Sequence, residues 1–465
     1  MGNTLSAAEI RDWQPYRLHG DGQLALHSAR ERMQRAGQWA PWQMLGRRMA
    51  IGCVALEITQ RCNLDCAYCY LSESSEALKD IPIEEVLRRV DLIHAHYGPG
   101  TDVQVTGGDP TLRNRRELVQ IVRYIKAKEL RPSLFTNGIR ASRELLTELC
   151  AAGLEDVAFH VDLTQGRAGY DSELALNALR QQYIDRARGL PLSVMFNTTV
   201  YPGNFEQVPN IVKFFITQAA VVRLASFQVG ADVGRGVDRA RVCVTADTVT
   251  AAIARGAGSE LSFGAASAGH ADCNRYAIGL IVNGRVHDFF RDAGFVQEVL
   301  AASAKVNIDR ANRRRLAHTI VSYLARHPGH AWGVIQRVAK FAWNIRHDLL
   351  SRPLQIGKLS FFVHNFMDAS TLDRARCEAC SFMVMTPEGP LSMCVHNAKR
   401  DAYLLQPAKV ARGQKMLFFN PVSGRLEDEI PRRLAVELTP KNARGRAKSP
   451  PTHSHAARAA ESTCA

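Results

Sequence analysis

The chain has 465 residues, of which 46% are hydrophobic and 22% charged, a composition typical of folded globular proteins. These values exclude a disordered, collagen-like or coiled-coil protein for the bulk of the chain. No segment approaches the ~18 to 20 consecutive apolar residues of a membrane-spanning helix, and the N-terminus lacks the apolar core of a secretion signal. We therefore expect a cytoplasmic protein.

The formal net charge is +14, which favours anionic partners such as a phosphate-bearing lipid, a cofactor or nucleic acid without specifying a reaction. The eleven cysteines are an odd number in a chain without a secretion signal, so a disulfide framework is not expected. Clustered cysteines should instead bind metal.

Residues 1–50 show no strong hydrophobic period and predict a helical or irregular extension. Between residues 51 and 236, short β-branched runs alternate with helix-period segments, which is typical of β-α units around a parallel sheet. Six such units predict an α/β fold in the form of a partial barrel, with its active site where the strands end. The six strands are predicted at 53–59, 102–106, 132–136, 155–161, 192–200 and 221–229.

Residues 237–440 predict a C-terminal α+β region, with a hairpin at Asn283-Gly284 in AIGLIVNGRV. Between Arg310 and His347 there are eight Lys or Arg residues and no acidic residue. The preferred interpretation of residues 331–350 is a docked amphipathic helix with a solvated basic face, and contact with a phosphate-bearing substrate or a membrane surface is the alternative. The apolar positions of this helix are Val334, Val338, Phe341, Ile345 and Leu349.

Residues 441–465 predict a disordered tail.

The motif that indicates chemistry is EITQRCNLDCAYCYLS, in which Cys62, Cys66 and Cys69 follow the first predicted strand with the spacing Cys-x3-Cys-x2-Cys. A [4Fe–4S] cube usually has four protein ligands, so three clustered cysteines leave one iron open to another ligand. A structural zinc site or buried core cysteines are the disfavoured alternatives.

A three-cysteine loop at the start of a six-unit partial barrel resembles the radical S-adenosylmethionine (SAM) superfamily, and the resemblance covers about residues 50–236. It implies that SAM chelates the open iron and is cleaved reductively to a 5′-deoxyadenosyl radical, which abstracts hydrogen from the substrate. Tyr68 resembles the aromatic residue near the adenine. Gly107, Gly108, Asp109 and Pro110 resemble the GGEP-type motif that binds the SAM amino group, with Asp in place of the usual Glu.

Other polar residues stand at the ends of predicted strands, where a barrel site is expected. Asp162 and Asn197 resemble, by strand order alone, positions that contact the ribose or carboxylate of SAM. Asn137 and Gln228 are further candidates for contact with SAM or substrate. Ordinary capping or turn hydrogen bonds are the alternative for all four.

A second cysteine group comprises Cys377, Cys380 and Cys394, with a predicted turn at residues 387–389. A fourth ligand could come from Cys273, with His270 or Cys243 as substitutes. A complete set would bind an auxiliary iron–sulfur cluster or, less favoured, tetrahedral zinc. Free thiols in a buried hairpin are the alternative.

This C-terminal segment and the upstream GHADC resemble the radical SAM branch that contains dihydro-hydroxymethylpterin dimethyltransferase and tetraether lipid synthase. The resemblance implies alkylation or carbon–carbon coupling of a lipid or pterin-like small molecule, with ferredoxin or flavodoxin as electron donor. A peptide- or tRNA-modifying radical SAM enzyme is the second hypothesis, although nucleic acid is not favoured as a partner. A non-catalytic iron–sulfur or zinc protein that binds nucleic acid or senses redox state is the third. No catalytic acid or base can be assigned.

Overall fold

The computed structural model describes residues 3–18, 25–43, 52–235, 244–303, 313–351, 353–431 and 436. The predicted tail at 441–465 and Cys243 lie outside the described residues. No helix within the described ranges is long and apolar enough to cross a bilayer.

The six predicted strands are all present and pair in parallel in chain order. All seven residues of the first strand are buried, as expected for a parallel strand covered on both faces. The strands are β1 (Cys53–Thr59), β2 (Asp102–Gly107), β3 (Arg131–Thr136), β4 (Asp156–His160), β5 (Ser193–Val200) and β6 (Val222–Val229).

The C-terminal region extends this sheet at both edges. Its strands are β7 (Asn274–Val282), β8 (Arg285–Asp288), β9 (Ile356–Asn365), β10 (Phe382–Met385) and β11 (Pro390–Ser392). β10 pairs in parallel with β1, and β9 pairs in parallel with β6. The mixed α/β prediction is confirmed, but two more parallel strands flank the six that were predicted.

The predicted hairpin joins β7 and β8, which pair in antiparallel fashion. Asn283 and Gly284 both have positive φ values, 50° and 81°, as a two-residue hairpin turn requires. A separate small sheet consists of β12 (Ala408–Arg412), β13 (Lys415–Phe419) and β14 (Leu426–Glu427).

Helices connect the parallel strands and cover the sheet. The N-terminal and barrel helices are α1 (Ala7–Asp12), α2 (Ala25–Arg35), α3 (Ile83–Tyr97), α4 (Arg115–Ala127), α5 (Arg143–Ala152), α6 (Asn177–Ala187) and α7 (Val208–Thr217). The later helices are α8 (Ala246–Ala257), α9 (Ala293–Ala302), α10 (Arg313–Arg326), α11 (Pro328–Asn344), α12 (Arg346–Leu350), α13 (Arg374–Glu378), α14 (Met393–Ala398) and α15 (Asp401–Leu404).

The predicted amphipathic helix corresponds to α11 and α12, and its two faces differ from the prediction. Ile345 is buried and Phe341 packs edge-on against His287, so the helix is docked as expected. Val338, however, is exposed together with Trp332 and Trp343. Val338 therefore lies outside the docked face of the helix, and α11 carries further apolar residues that face solvent.

An ion pair without solvent access joins α6 to the loop before it, and its loss provides a test of the packing. Arg180 donates to Glu173, and both side chains are fully buried. Arg180→Met leaves the Glu173 carboxylate buried without its cation, so we expect the free energy of unfolding to fall by about 3–5 kcal/mol at neutral pH. Urea titration followed by circular dichroism measures this difference.

The matched control is Arg188→Met, because Arg188 pairs with Asp185 while both side chains are half exposed; we expect about 1 kcal/mol or less. Burial already raises the pKa of Glu173 in the folded protein, and removing Arg180 raises it further. Because the pKa of Glu173 is raised in the folded state, the folded protein loses stability as rising pH ionises this carboxyl group. The loss of unfolding free energy caused by Arg180→Met should therefore be smaller in acid than at neutral pH. A deficit independent of pH would contradict this assignment.

Candidate active site

A cavity of about 570 Å³ lies against the inner face of the main sheet. Parallel strands present their carboxyl ends at a common edge, where ligands of α/β sheets are usually bound. The loops and strand ends at that edge contribute polar and sulfur groups to the cavity wall. These are Cys62, Cys66, Cys69, Tyr68, Gly107, Gly108, Asn137, His160, Asn197 and Gln228.

The three predicted cluster cysteines follow β1 and line the cavity together. None of the three is in a disulfide, and all are partly accessible. Burial raises the pKa of both Cys62 and Cys66, and the neighbouring Cys69 adds to the increase at each. Without a metal these thiols stay protonated at neutral pH, and a bound cation would stabilise the thiolates that burial disfavours.

The glycine turn after β2 lies directly against the chain that leads into the cysteine loop. The Gly108 amide donates to the carbonyl of Thr59 at 2.8 Å, and the Asp109 amide donates to that of Arg61 at 2.8 Å. Gly107 has a φ of +127°, a conformation that favours glycine. A Cβ at Gly107 or Gly108 would overlap the Thr59 or Arg61 carbonyl oxygen.

Asp109 and Pro110, predicted as SAM contacts, do not line the cavity. The Asp109 carboxylate is 1% exposed and accepts from the Thr111 amide, the Thr136 hydroxyl and the Asn137 amide. Asp109 therefore ties the end of β2 to the end of β3. Its effect on the site is positional, because it fixes Gly108 on one side and Asn137 on the other.

Asp162 is also buried behind the cavity rather than facing it. Its carboxylate accepts from the Thr199 amide at 2.7 Å and lies 2.6 Å from His160 Nε2. His160 itself lines the cavity. The sequence analysis took Asp162, the polar residue after the strand, as the contact. It missed His160, which is the last residue of β4 and faces the cavity.

Arg235 is a second residue that sequence analysis missed. It is 9% exposed, and its Nε lies 3.4 Å from Cys69 Sγ. Its Nη1 donates to Glu76 at 2.9 Å, which fixes the guanidinium beside the thiol. The sequence carries no signal for this contact, because 166 residues separate the two partners.

The aromatic residues of the cysteine loop are fixed by contacts with other strands. Tyr68 packs with its ring centroid 5.3 Å from that of Tyr201. The Tyr70 hydroxyl donates to the carbonyl of Gly107 at 2.5 Å. Arg400 lies over the Tyr70 ring at 4.7 Å, so the C-terminal region also contacts the loop.

The opposite wall of the cavity is largely aromatic and comes from the C-terminal strands. His364 lies between Phe366 and Phe382, with ring centroids 3.9 Å and 4.4 Å away. Burial, with the nearby Arg376, lowers the pKa of His364 to about 3, so the imidazole is neutral at physiological pH. Tyr276 and Phe362 complete this wall.

The second cysteine group is brought together from three separate segments. Burial and the neighbouring thiols of Cys394, Cys380 and Cys273 raise the pKa of Cys377. Burial, with a further contribution from Cys380, raises the pKa of Cys273 to about 11, while Arg376 Nε lies 3.4 Å from its sulfur. Cys273 thus stands with the other three.

Within the described residues, no three His, Cys, Asp or Glu side chains form a group that could hold a single metal ion. A [4Fe–4S] cube binds its cysteines at separate irons, so its ligands need not converge on one point. His270, the substitute ligand, lies beside Asp272 at the edge of the second group, with a nitrogen-to-oxygen distance of 3.8 Å.

Residues 56–215 match the family model described as Radical SAM superfamily. The chain contains a radical SAM domain. Enzymes with this domain use a [4Fe–4S] cluster and SAM, and the matched segment includes the three-cysteine loop and the glycine turn.

Two curated relatives are each similar to about a third of the chain. The PqqA peptide cyclase of Xanthomonas campestris pv. campestris (strain B100) is 30% identical over 171 residues, which cover 34% of this chain and 42% of that protein. The probable GTP 3′,8-cyclase of Pyrococcus abyssi (strain GE5 / Orsay) is 30% identical over 177 residues, covering 37% and 56%. The chain thus spans about half the length of the curated relatives it matches.

Among solved structures, Streptococcus suis SuiB bound to the precursor peptide SuiA is similar at 15% identity and a TM-score of 0.34. The similarity covers 48% of this chain and 47% of that one.

The contact between the glycine turn and the cysteine loop can be tested by adding one methyl group. Gly108→Ala places a Cβ against a backbone oxygen that no side-chain rotation can move, so we expect the free energy of unfolding to fall by about 1–3 kcal/mol. Urea titration measures the change. Gly264→Ala is the control, since a Cβ there meets open space; equal losses in the two variants would contradict the proposed contact.

Proposed function

We propose that the chain is a radical SAM enzyme whose Cys62, Cys66 and Cys69 bind a [4Fe–4S] cluster. The observation that carries this proposal is that the three thiols and the glycine turn at Gly107 and Gly108 line the same cavity. Three cysteines leave one iron for SAM, and backbone without side chains lets SAM approach closely. When bound, the cluster supplies the electron that cleaves SAM to methionine and a 5′-deoxyadenosyl radical able to abstract hydrogen.

The protein residues around the cysteines bind and orient the cofactors. Asn137 donates to Asn63 at 2.7 Å and stands 4.0 Å from the Cys62 sulfur, so its amide side chain is fixed at the place where SAM would lie. Tyr68, Asn197 and Gln228 offer an aromatic face and further polar groups. Arg235 places a cation beside Cys69, which offsets the negative charge of a thiolate ligand.

We also propose that Cys273, Cys377, Cys380 and Cys394 bind an auxiliary iron–sulfur cluster. The support is that four thiols from separate segments are near enough to raise the pKa values of one another, and four is the usual number of cysteine ligands for such a cluster. Tetrahedral zinc, the other occupant predicted from the sequence, has less support, because no three of the described His, Cys, Asp or Glu side chains form a group that could hold a single ion. The first cluster then needs an external one-electron donor, for which ferredoxin or flavodoxin is the proposed class.

The proposed substrate is a peptide, and the similarity to PqqA peptide cyclases supports it. The second candidate is the lipid or pterin-like molecule predicted from the sequence, which the aromatic wall around His364, Phe362 and Phe382 favours. The similarity to a probable GTP 3′,8-cyclase supports a small molecule equally. A non-catalytic metal protein does not account for a glycine turn that opens onto the same cavity as the cysteines.

Reductive cleavage of SAM is the direct test of the activity. The iron-reconstituted protein, reduced with dithionite in the absence of oxygen, should form 5′-deoxyadenosine from SAM, and the variant with alanine at 62, 66 and 69 should form none. Chromatographic quantitation of 5′-deoxyadenosine measures the reaction. Cys150→Ala is the matched control, because Cys150 lies on α5 outside the cavity wall.

The substrate class is tested with the same protein. Deuterated peptide, lipid and pterin panels are offered separately, and the proposal predicts that deuterium from the peptide panel enters 5′-deoxyadenosine. Transfer from a lipid or pterin alone would establish the second candidate. Iron-loaded protein that forms no 5′-deoxyadenosine with any panel would overturn the enzymatic proposal.

The auxiliary cluster predicts that iron remains when the first cluster is removed. The variant with alanine at 62, 66 and 69 should keep about half of the iron and acid-labile sulfide of the reconstituted wild type if both sites hold cubes. Substituting Cys377, Cys380 and Cys394 as well should remove the rest. Residual metal that proves to be zinc, or no residual metal, would contradict an auxiliary iron–sulfur cluster.

A further inference from the structure

The side of α11 that faces solvent is an apolar strip. Trp332, Ile335 and Trp343 are 62%, 57% and 68% exposed, and with the exposed Ala339 they recur three to four residues apart. This spacing places all four on one face of a helix. We call these four residues the outer face of α11.

The opposite side of α11 is held firmly by the body of the protein. Arg337 donates to Asp292 at 2.6 Å, and Phe341 packs against His287 on β8. The following helix is fixed through Asp348, which lies 2.9 Å from Arg285. The outer face is therefore presented on an anchored helix.

The outer face lies in a basic part of the sequence. The segment from Arg310 to His347 contains eight Lys or Arg residues and no acidic residue. Lys340 on α11 and Arg326 on α10 are exposed. The Arg346 guanidinium lies 4.5 Å from the centre of the Trp343 ring, which places a cation directly at the end of the apolar strip.

We propose that the outer face of α11 docks onto the surface of an anionic lipid bilayer. An amphipathic helix of this kind binds in the interfacial plane, with its apolar face in the acyl boundary and its cations at the lipid phosphates. Tryptophan is enriched at that depth because its ring is apolar and its N–H is polar. The proposal concerns attachment and does not depend on the radical chemistry.

Two other occupants fit the observations less well. A symmetric dimer through the outer face would bring identical surfaces together, so the basic residues around each strip would repel those of the other copy. Nucleic acid would match the charge, but it would leave the exposed apolar strip without a function. A bilayer with anionic headgroups satisfies both the charge and the apolar surface.

The test uses the full chain with sonicated vesicles, in the absence of SAM and reductant. The protein should float with vesicles that contain phosphatidylglycerol and bind only weakly to phosphatidylcholine alone, and added salt should weaken binding. Tryptophan emission should shift to the blue on binding. Trp332→Ser with Trp343→Ser should abolish this shift, and Lys340→Glu with Arg326→Glu should weaken binding roughly tenfold or more.

The matched controls are Leu174→Ser and Lys213→Glu, which change an exposed apolar and an exposed basic residue elsewhere; both should bind as the wild type does. Three results would overturn the proposal. They are failure to bind anionic vesicles, equal binding by all variants, and a dimer by light scattering that the tryptophan substitutions convert to monomer. Because no cofactor is present, failure here leaves the proposed enzymatic function unaffected.

Discussion

The backbone contact between the ends of β1 and β2 is the constraint on which the site depends. Two amides of the glycine turn, at Gly108 and Asp109, bind the carbonyls of Thr59 and Arg61 just before the cysteine loop. No side chain separates the two segments, so the position of one fixes the position of the other. Any ligand held by the cysteines is thereby placed against the glycine backbone. A Cβ at Gly108 would overlap the Arg61 carbonyl oxygen and so prevent the two segments from lying this close together.

The C-terminal region completes this arrangement, since Arg400 and Glu57 line the same cavity as the cysteine loop. Arg400, which follows α14, donates to Glu57 on β1 at 2.5 Å and covers the Tyr70 ring. Burial alone would raise the pKa of Glu57, but Arg400 holds it at about 2, so this ion pair persists at any physiological pH. Because Cys394 lies on α14, the same short segment carries one thiol of the second cysteine group and a residue that supports the first. The two groups therefore belong to one structural unit.

The barrel could be predicted from the sequence because the patterns that indicate it lie within short stretches of the chain. Alternating apolar runs and helix-period segments identified the six central strands, and the spacing of Cys62, Cys66 and Cys69 identified the loop that lines the cavity. The sequence could not show that β9 and β10 join the edges of the sheet, since that pairing depends on residues far apart in the chain. It also could not assign roles among polar residues at strand ends. Asp162 and His160 are two positions apart, and only the fold shows which of them faces the cavity.

The cavity is chemically different at its two ends, and this limits what it can bind. At the carboxyl ends of the strands, three thiols line the cavity, and the Arg235 guanidinium stands beside one of them, Cys69. At the opposite end, burial and the neighbouring Asp102 raise the pKa of Asp156 to about 6, so this carboxyl group is partly protonated near neutral pH. The aromatic wall with the neutral imidazole of His364 also lines the cavity. Under the proposed function, a substrate that fills the cavity contacts this wall with an apolar or aromatic portion.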